Sequence, residues 1–311
     1  MIKPKKLYPG DTIGLISPAS PTVDRLDVPR SKEFLEKMGY KVVLGKHVDA
    51  LRGHYAAALE DAKAEDFNEM FANDEIDMIL CVRGGSSTQQ FVQRIDFDNV
   101  KNNPKIFSGF SDITTLHLAI AKHAGLVTFH GPNLMTLRPG MSDYTKDHFF
   151  RAITSTEERR EIKIADEDKY VMTIHGGATE APVLGGNLCL IAGSCGTMYQ
   201  PDFTGKILFF EETNEQPYAV DRYLAQMRNC GMLDGIKGVL IGEFSGCGPG
   251  SAYSTTIIDT FEHYFADLGV PCLYGLPLGH TKDMATLPQN CMVRLDADAK
   301  TLEVLESGVT D

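Results

Sequence analysis

At 311 residues the chain is long enough for two domains, each with a sizeable core. Its 42 acidic and 30 basic residues give a formal net charge of −12 with no basic cluster, which argues against a nucleic-acid partner. The basic start, Met1-Ile2-Lys3-Pro4-Lys5-Lys6-Leu7, meets Pro9-Gly10-Asp11 before any apolar signal-peptide core, and no stretch reaches the ~20 apolar residues of a membrane helix, so the expectation is a soluble cytoplasmic protein without a membrane partner.

The first half alternates apolar strand patterns at 12–16, 41–44, 77–81, 105–107 and 126–129 with helical patterns at 29–38, 62–71, 88–94 and 113–124. That alternation predicts a parallel sheet covered on both faces, with ligands beyond the carboxyl ends of its strands. Two strand ends are chemically dense: Cys81-Val82-Arg83-Gly84-Gly85-Ser86-Ser87 and Ser108-Gly109-Phe110-Ser111-Asp112. In the second, a short apolar strand breaks at a glycine, presents Ser111 and passes into a helix with Asp112 as its expected N-cap. A serine on such a turn can act as a nucleophile while N–H groups of the next helical turn receive an oxyanion. Ile113 stands where G-x-S-x-G has its second glycine, so by itself the segment also reads as an ordinary turn serine.

Charged and polar stretches between 150 and 180 place the domain connection there, giving an α/β domain over 1–165 and a smaller, β-rich domain over 166–311. Strand patterns at 206–211, 238–244, 291–295 and 302–305 are separated by glycine-rich turns, with helices near 220–229 and 254–268. The strand at 206–211 runs into two carboxylates, Glu211 and Glu212, and the loop Leu276-Pro277-Leu278-Gly279-His280-Thr281 carries a histidine. Such a residue is either a surface-loop histidine or the base a serine nucleophile needs, oriented by a carboxylate.

The seven cysteines, 81, 189, 195, 230, 247, 272 and 291, are scattered, mostly within apolar runs, and read as reduced core thiols. There is no C-x-x-C and no H-E-x-x-H, and His117 and His123 are six residues apart, off a shared helix face; neither metal nor cofactor is expected.

Several of these segments, taken together and in order, resemble the LD-carboxypeptidase family of serine peptidases, family S66. They are Leu7-Tyr8-Pro9-Gly10-Asp11, Ile16-Ser17-Pro18-Ala19-Ser20, Arg83-Gly84-Gly85, Gly109-Phe110-Ser111-Asp112-Ile113-Thr114, His130-Gly131-Pro132, Leu184-Gly185-Gly186-Asn187-Leu188, Phe209-Phe210-Glu211-Glu212 with Tyr218 and Asp221-Arg222, and Gly279-His280-Thr281. The resemblance covers nearly the whole chain. It implies an N-terminal α/β domain like that of class I glutamine amidotransferases, with Ser111 as nucleophile, His280 as general base and Glu211 as its orienting carboxylate. It further implies an oxyanion hole from the backbone N–H of Asp112 and of a glycine in the Arg83-Gly84-Gly85 turn, Gly85 or its neighbour Gly84, together with a muropeptide substrate and a homodimer. Arg83, with Gly84 and Ser86 beside it as candidate substrate contacts, reads either as the receiver of a substrate carboxylate or as a structural ion pair at the sheet edge.

Two departures bear on substrate. Ser86 and Ser87 stand where the family commonly has tyrosine and glycine, and Leu287-Pro288-Gln289-Asn290 replaces a frequent Leu-Pro-Leu-Gly. A branch resembling the microcin C self-immunity proteins cleaves amides of peptidyl or aminoacyl nucleotides and stacks the base on tryptophan. This chain has no tryptophan, although its serines near the glycine turn lean toward that branch. A reading from another class is a non-catalytic binding protein with Gly84–Ser87 or 246–250 as an anion nest, without support from a P-loop lysine or a G-x-G-x-x-G. Cys195, in a Gly-Ser-Cys-Gly turn, ranks below Ser111 as a nucleophile.

Overall fold

The computed structural model describes residues 1–52, 55–164, 170–250 and 255–311. Two compact units emerge: Met1–Thr156 with Thr286–Pro288 and Gly308–Asp311, and Glu157–Ala285 with Gln289–Ser307. The expected boundary at 165/166 lies outside the described residues. The change of unit falls earlier, at Thr156/Glu157, because the segment Arg160–Ile162 already pairs within the second unit's sheet.

In the first unit, strands β1 (Thr12–Ile16), β2 (Lys41–Leu44), β3 (Met78–Cys81), β4 (Ile106–Gly109) and β5 (Phe129–His130) run parallel in the order β2-β1-β3-β4-β5, with Leu287–Pro288 antiparallel at the β5 edge. Every residue of β1, β3 and β4 is buried, as strands covered on both faces require. Helices α1 (Asp27–Lys37), α2 (Glu60–Ala72), α3 (Phe97–Asn102), α4 (Thr114–His123) and α5 (Asp143–Thr154) complete the unit. Phe67 and Phe71 from α2 pack on Phe107 of β4, with Phe67 and Phe107 centroids 5.7 Å apart, so α2 is fastened to the strand that ends at the serine turn.

Two local expectations change. Residues 88–94 form two 3-10 turns, Thr88–Gln90 and Val92–Arg94, instead of a helix, because left-handed Ser87 (φ 100°) precedes them and Thr88 is tied to Asp112. Asp112 does not cap α4: it sits inside the 3-10 turn Ser111–Ile113, and its carboxylate accepts from Thr88 N–H at 3.0 Å. Helix α5, whose pattern the charged surroundings obscured, starts at a Ser142 cap.

The second unit is built on an eight-stranded mixed sheet. In chain order it contains β6 (Arg160–Ile162), β7 (Met172–His175), β8 (Ala178–Asn187), α6 (Leu188–Gly193), β9 (Ile207–Thr213), α7 (Pro217–Asn229), β10 (Gly238–Ser245), α8 (Ile257–Phe265) and β11 (Cys272–Tyr274). After β12 (Leu287–Pro288), which belongs to the first unit, come β13 (Met292–Asp296) and β14 (Thr301–Val304). The order is β6-β14-β13-β8-β9-β10-β11-β7. Strand β8 pairs antiparallel with β13 through its first half and parallel with β9 through its second, changing partner at Pro182/Val183. The unit is β-rich, yet its centre, β8-β9-β10-β11, is parallel and connected by α6, α7 and α8. Phe210 packs against Phe261 and Phe265 of α8 beneath this centre. The predicted helix at 254–268 is observed from Ile257, behind a Thr256/Asp259 capping box; Ser254 lies outside the described residues.

Among the described residues no helix is long and apolar enough to cross a membrane, and no group of three or more His, Cys, Asp or Glu side chains is placed to hold a metal. Cys81, Cys247, Cys272 and Cys291 are buried. Cys230 corrects the expectation of core thiols: it caps the exposed end of α7, 3.2 Å from Cys195 Sγ.

Candidate active site

Strand β4 ends at Gly109, and two residues later Ser111 takes φ +65°, a left-handed conformation that costs an L-residue roughly 1–2 kcal/mol. Non-glycine residues held in this region cluster at active sites and ligand clamps, which makes the turn a candidate site. Ser111 is half-buried and heads the 3-10 turn that leads into α4. Gly84 packs directly on it: a Cβ there would stand 2.8 Å from Ser111 Cβ and 3.1 Å from Oγ, so close approach requires glycine. Gly85, at φ +130°, passes over Ser20, whose Oγ a Cβ would overlap.

The turn between Arg83 and Ser87 is braced from below. Ser20 Oγ accepts from Ser86 N–H and donates to the Tyr55 carbonyl, while Ser20 N–H donates to the Gly84 carbonyl. Ser86 N–H is thereby occupied; the N–H groups of Gly84 and Gly85 make no hydrogen bond among the described residues. Arg83 Nη1 donates to the Pro21 carbonyl at 3.0 Å, and among the described residues no carboxylate pairs with its guanidinium. Arg83, Gly84, Gly85, Ser86, Ser111 and Asp112 therefore belong to one neighbourhood at the carboxyl edge of the first unit's sheet.

His117 supports that edge from α4. It is fully buried, with Nε2 2.9 Å from the Gly109 carbonyl and Nδ1 2.8 Å from Thr128 Oγ1, which fits a neutral ring donating from Nε2 and accepting at Nδ1. Burial pushes its pKa down to about 4, against a partial offset from the Gly109 bond. The folded state thus resists a proton that the unfolded chain accepts near 6.5, so stability is fully present above 6.5 and falls as pH drops toward 4. The expected loss is about 3 kcal/mol. Urea unfolding between pH 7.5 and 4 should show it, and His117→Gln should flatten that part of the profile. Equal slopes in parent and variant would show that His117 is not the group responsible.

In the second unit, β9 presents Glu211 and Glu212 to opposite faces. Glu211, 0 % exposed, accepts from His280 through Oε2, 2.6 Å from Nδ1 and 3.2 Å from the backbone N–H. The neutral tautomer with Nδ1–H donating makes Nε2 the basic nitrogen. Gly279, at φ +99°, lets the loop close onto Glu211, whose side chain any Cβ at 279 would overlap. Glu211 Oε1 is buried with no hydrogen-bond partner among the described residues, a cost that functional sites tolerate. His280 is half-buried; burial lowers its pKa, but the Glu211 hydrogen bond and the charges of Glu211 and Glu212 outweigh that and raise it.

Glu212 does different work. It accepts from Asn187 Nδ2, Cys189 N–H and Thr213 N–H, pinning the start of α6, and burial pushes its pKa up to about 7 against those hydrogen bonds. Sequence reasoning missed this role; the signal available was Asn187 preceding an apolar helix as N-cap. It also missed Ser20, Lys63 and Thr88.

Comparison with known proteins supplies the identity. Descriptions of the LD-carboxypeptidase N-terminal and C-terminal domains match residues 13–131 and 180–295. The chain belongs to the LD-carboxypeptidase family. It is 37% identical over 313 residues, 99% of this chain and 96% of the other, to the probable murein peptide carboxypeptidase of Bacillus subtilis. The crystal structure of a muramoyltetrapeptide carboxypeptidase from Oxalobacter formigenes aligns with TM-score 0.82 at 30% identity, covering 94% and 97% of the two chains. That of the microcin C7 self-immunity protein MccF in complex with aspartyl sulfamoyl adenosine aligns with TM-score 0.90 at 26% identity over 100% of both. This LD-carboxypeptidase family member is accordingly a serine-type hydrolase with an α/β first domain and a β-rich second domain.

Proposed function

We propose that the protein is a cytoplasmic LD-carboxypeptidase that removes the terminal D-amino acid from murein tetrapeptides. The observation that carries the substrate class is the end-to-end similarity to the probable murein peptide carboxypeptidase of Bacillus subtilis. In this reading Ser111 Oγ attacks the carbonyl carbon of the L,D-bond as His280 Nε2 takes its proton. The Asp112 and Gly85 N–H groups receive the oxyanion, and His280 returns the proton to the departing D-amino acid. Water then releases the acyl group by the same steps. Glu211 keeps His280 in the reactive tautomer and supports the imidazolium. Arg83, without a carboxylate partner among the described residues, receives the free terminal carboxylate, with Gly84 and Ser86 lining the same turn. We further propose a homodimer without a nucleic-acid or membrane partner, requiring no cofactor.

The test is a pair of substrates, with products read by mass: a muropeptide tetrapeptide and an aminoacyl-sulfamoyl adenosine. Release of the terminal D-amino acid from the free acid, with turnover sharply reduced by amidating its carboxylate, is the expected result. Equal turnover of acid and amide, or hydrolysis of the nucleotide alone, would overturn the carboxypeptidase reading in favour of an MccF-like one.

A second expectation concerns pH. A base works when neutral, and His280 is shifted upward, so kcat/KM should rise with pH through a midpoint above 6.5. In Glu211→Gln, the largest influence raising that pKa is gone and the midpoint of the residual activity should fall. A parental midpoint below 6.5, or one unmoved by the substitution, would count against His280 as the base.

A further inference from the structure

Lys63 faces inward from α2 with 3 % of its surface exposed, a place an ammonium occupies only when its lost hydration is compensated. Its Nζ donates to Ser87 Oγ at 2.5 Å and stands 6.0 Å from the centroid of the Phe91 ring. Ser87 Oγ in turn lies 3.3 Å from the Ala19 carbonyl. Burial lowers the Lys63 pKa, and the charges of Asp112, 2 % exposed, and of Glu60 offset part of that, although Lys63 and Asp112 form no direct ion pair. Asp112 takes both donors of the next residue, Thr88: N–H at its carboxylate and Oγ1–H at its carbonyl, at 3.0 and 2.8 Å. A buried cation and a buried anion thus grip consecutive residues, Ser87 and Thr88, at the base of the glycine turn that packs on Ser111.

We propose that Lys63 is a positioning residue for the hydrolysis, holding the Gly84–Ser87 turn through Ser87 and neutralising Asp112 beside the nucleophile. The inference rests on the assignment of Ser111 as nucleophile. Negative charge develops on the substrate carbonyl oxygen only in the transition state, next to the residue that carries the Asp112 carboxylate. With Lys63 in place, the carboxylate's field is balanced and the turn's N–H groups are fixed before the reaction begins. Without it, a buried and uncompensated anion opposes the oxyanion. The penalty therefore falls on kcat and spares ground-state binding.

The experiment measures kcat, KM and thermal unfolding for Lys63→Met, Asp112→Asn, the double variant, Ser87→Ala and the control Ser111→Ala. Lys63→Met should lose roughly 10- to 100-fold in kcat with KM within about threefold. Asparagine at 112 keeps an acceptor for Thr88 N–H but removes the charge. The double variant should therefore recover roughly tenfold in kcat over Lys63→Met, a coupling that merely structural damage does not produce. Effects that simply multiply would overturn the neutralising role. Should Lys63→Met not fold, Ser87→Ala, which deletes one hydroxyl and keeps both charges, decides: a fall of roughly fivefold in kcat at unchanged KM supports the inference, and parental kcat overturns it. An inactive Ser111→Ala beside a folded Lys63→Met of parental kcat removes this inference alone. An active Ser111→Ala removes the nucleophile assignment and the inference with it.

Discussion

Ser111→Ala is expected to lower kcat for L,D-peptide hydrolysis by about 10⁴-fold or more while leaving the unfolding midpoint near the parental value. The first half follows from chemistry, since Ser111 carries the one hydroxyl of the Gly109–Ile113 turn and the Asp112 carboxylate is buried and engaged by Thr88 N–H. The second follows from the surroundings. Ser111 Oγ makes no hydrogen bond among the described residues, so deleting it leaves no donor or acceptor stranded, and alanine carries the same Cβ against Gly84 and the same cost at φ +65°. Ser111→Gly separates the two properties further: it should be equally inactive but about 1 kcal/mol more stable, because glycine adopts that φ freely. Near-parental turnover by well-folded Ser111→Ala would remove the serine-hydrolase assignment. Inactive but unfolded variants would show instead that the hydroxyl holds the turn.

Much of this was legible in the residues themselves where local pattern and tertiary demand agree. Largely apolar runs bounded by polar turns mark β1, β3 and β4, because strands buried on both faces must be mostly apolar, whereas the edge strand β2 keeps Lys41 and Leu44 exposed. Helix α4 was legible from its spacing, within a residue of its observed ends. Strand β8 was not: Pro182 and the pair Gly185-Gly186 argue against a strand interior, yet Pro182 sits where the strand changes partner. Ser111, Glu211 and His280 stand out as candidates because each lies at an element end and because the motifs occur in the family's order. What pattern cannot reveal is conformation and pairing at a distance. The left-handed Ser111, the Glu211 oxygen that has no hydrogen-bond partner among the described residues and the Lys63–Ser87 contact over 24 residues depend on where the elements pack. Lys63 in particular reads as a solvated helix lysine, since its neighbours Glu60, Asp61, Glu65 and Asp66 make the helix look polar all round.

Glu211→Gln is expected to cost about 10⁴-fold in kcat, whereas Glu212→Gln, one residue along the same strand, should cost less than about tenfold and act on stability instead. At 211 the carboxylate receives both the ring and the backbone N–H of His280, and a carboxamide can offer its NH₂ to Nδ1, favouring the tautomer whose Nε2 carries the proton and cannot accept one from serine. The charge that supports the imidazolium is lost as well. At 212 three donors converge from Asn187, Cys189 and Thr213. A carboxamide has one oxygen for them, so at least one donor is left facing NH₂ and the start of α6 loosens, an expected loss of about 1–3 kcal/mol. Kinetics and urea unfolding on both variants give opposite rankings if this division holds. Should Glu212→Gln prove the more damaging to kcat at intact stability, the two faces of β9 have been assigned the wrong way round, and the His280–Glu211 bond is not the one that turns over substrate.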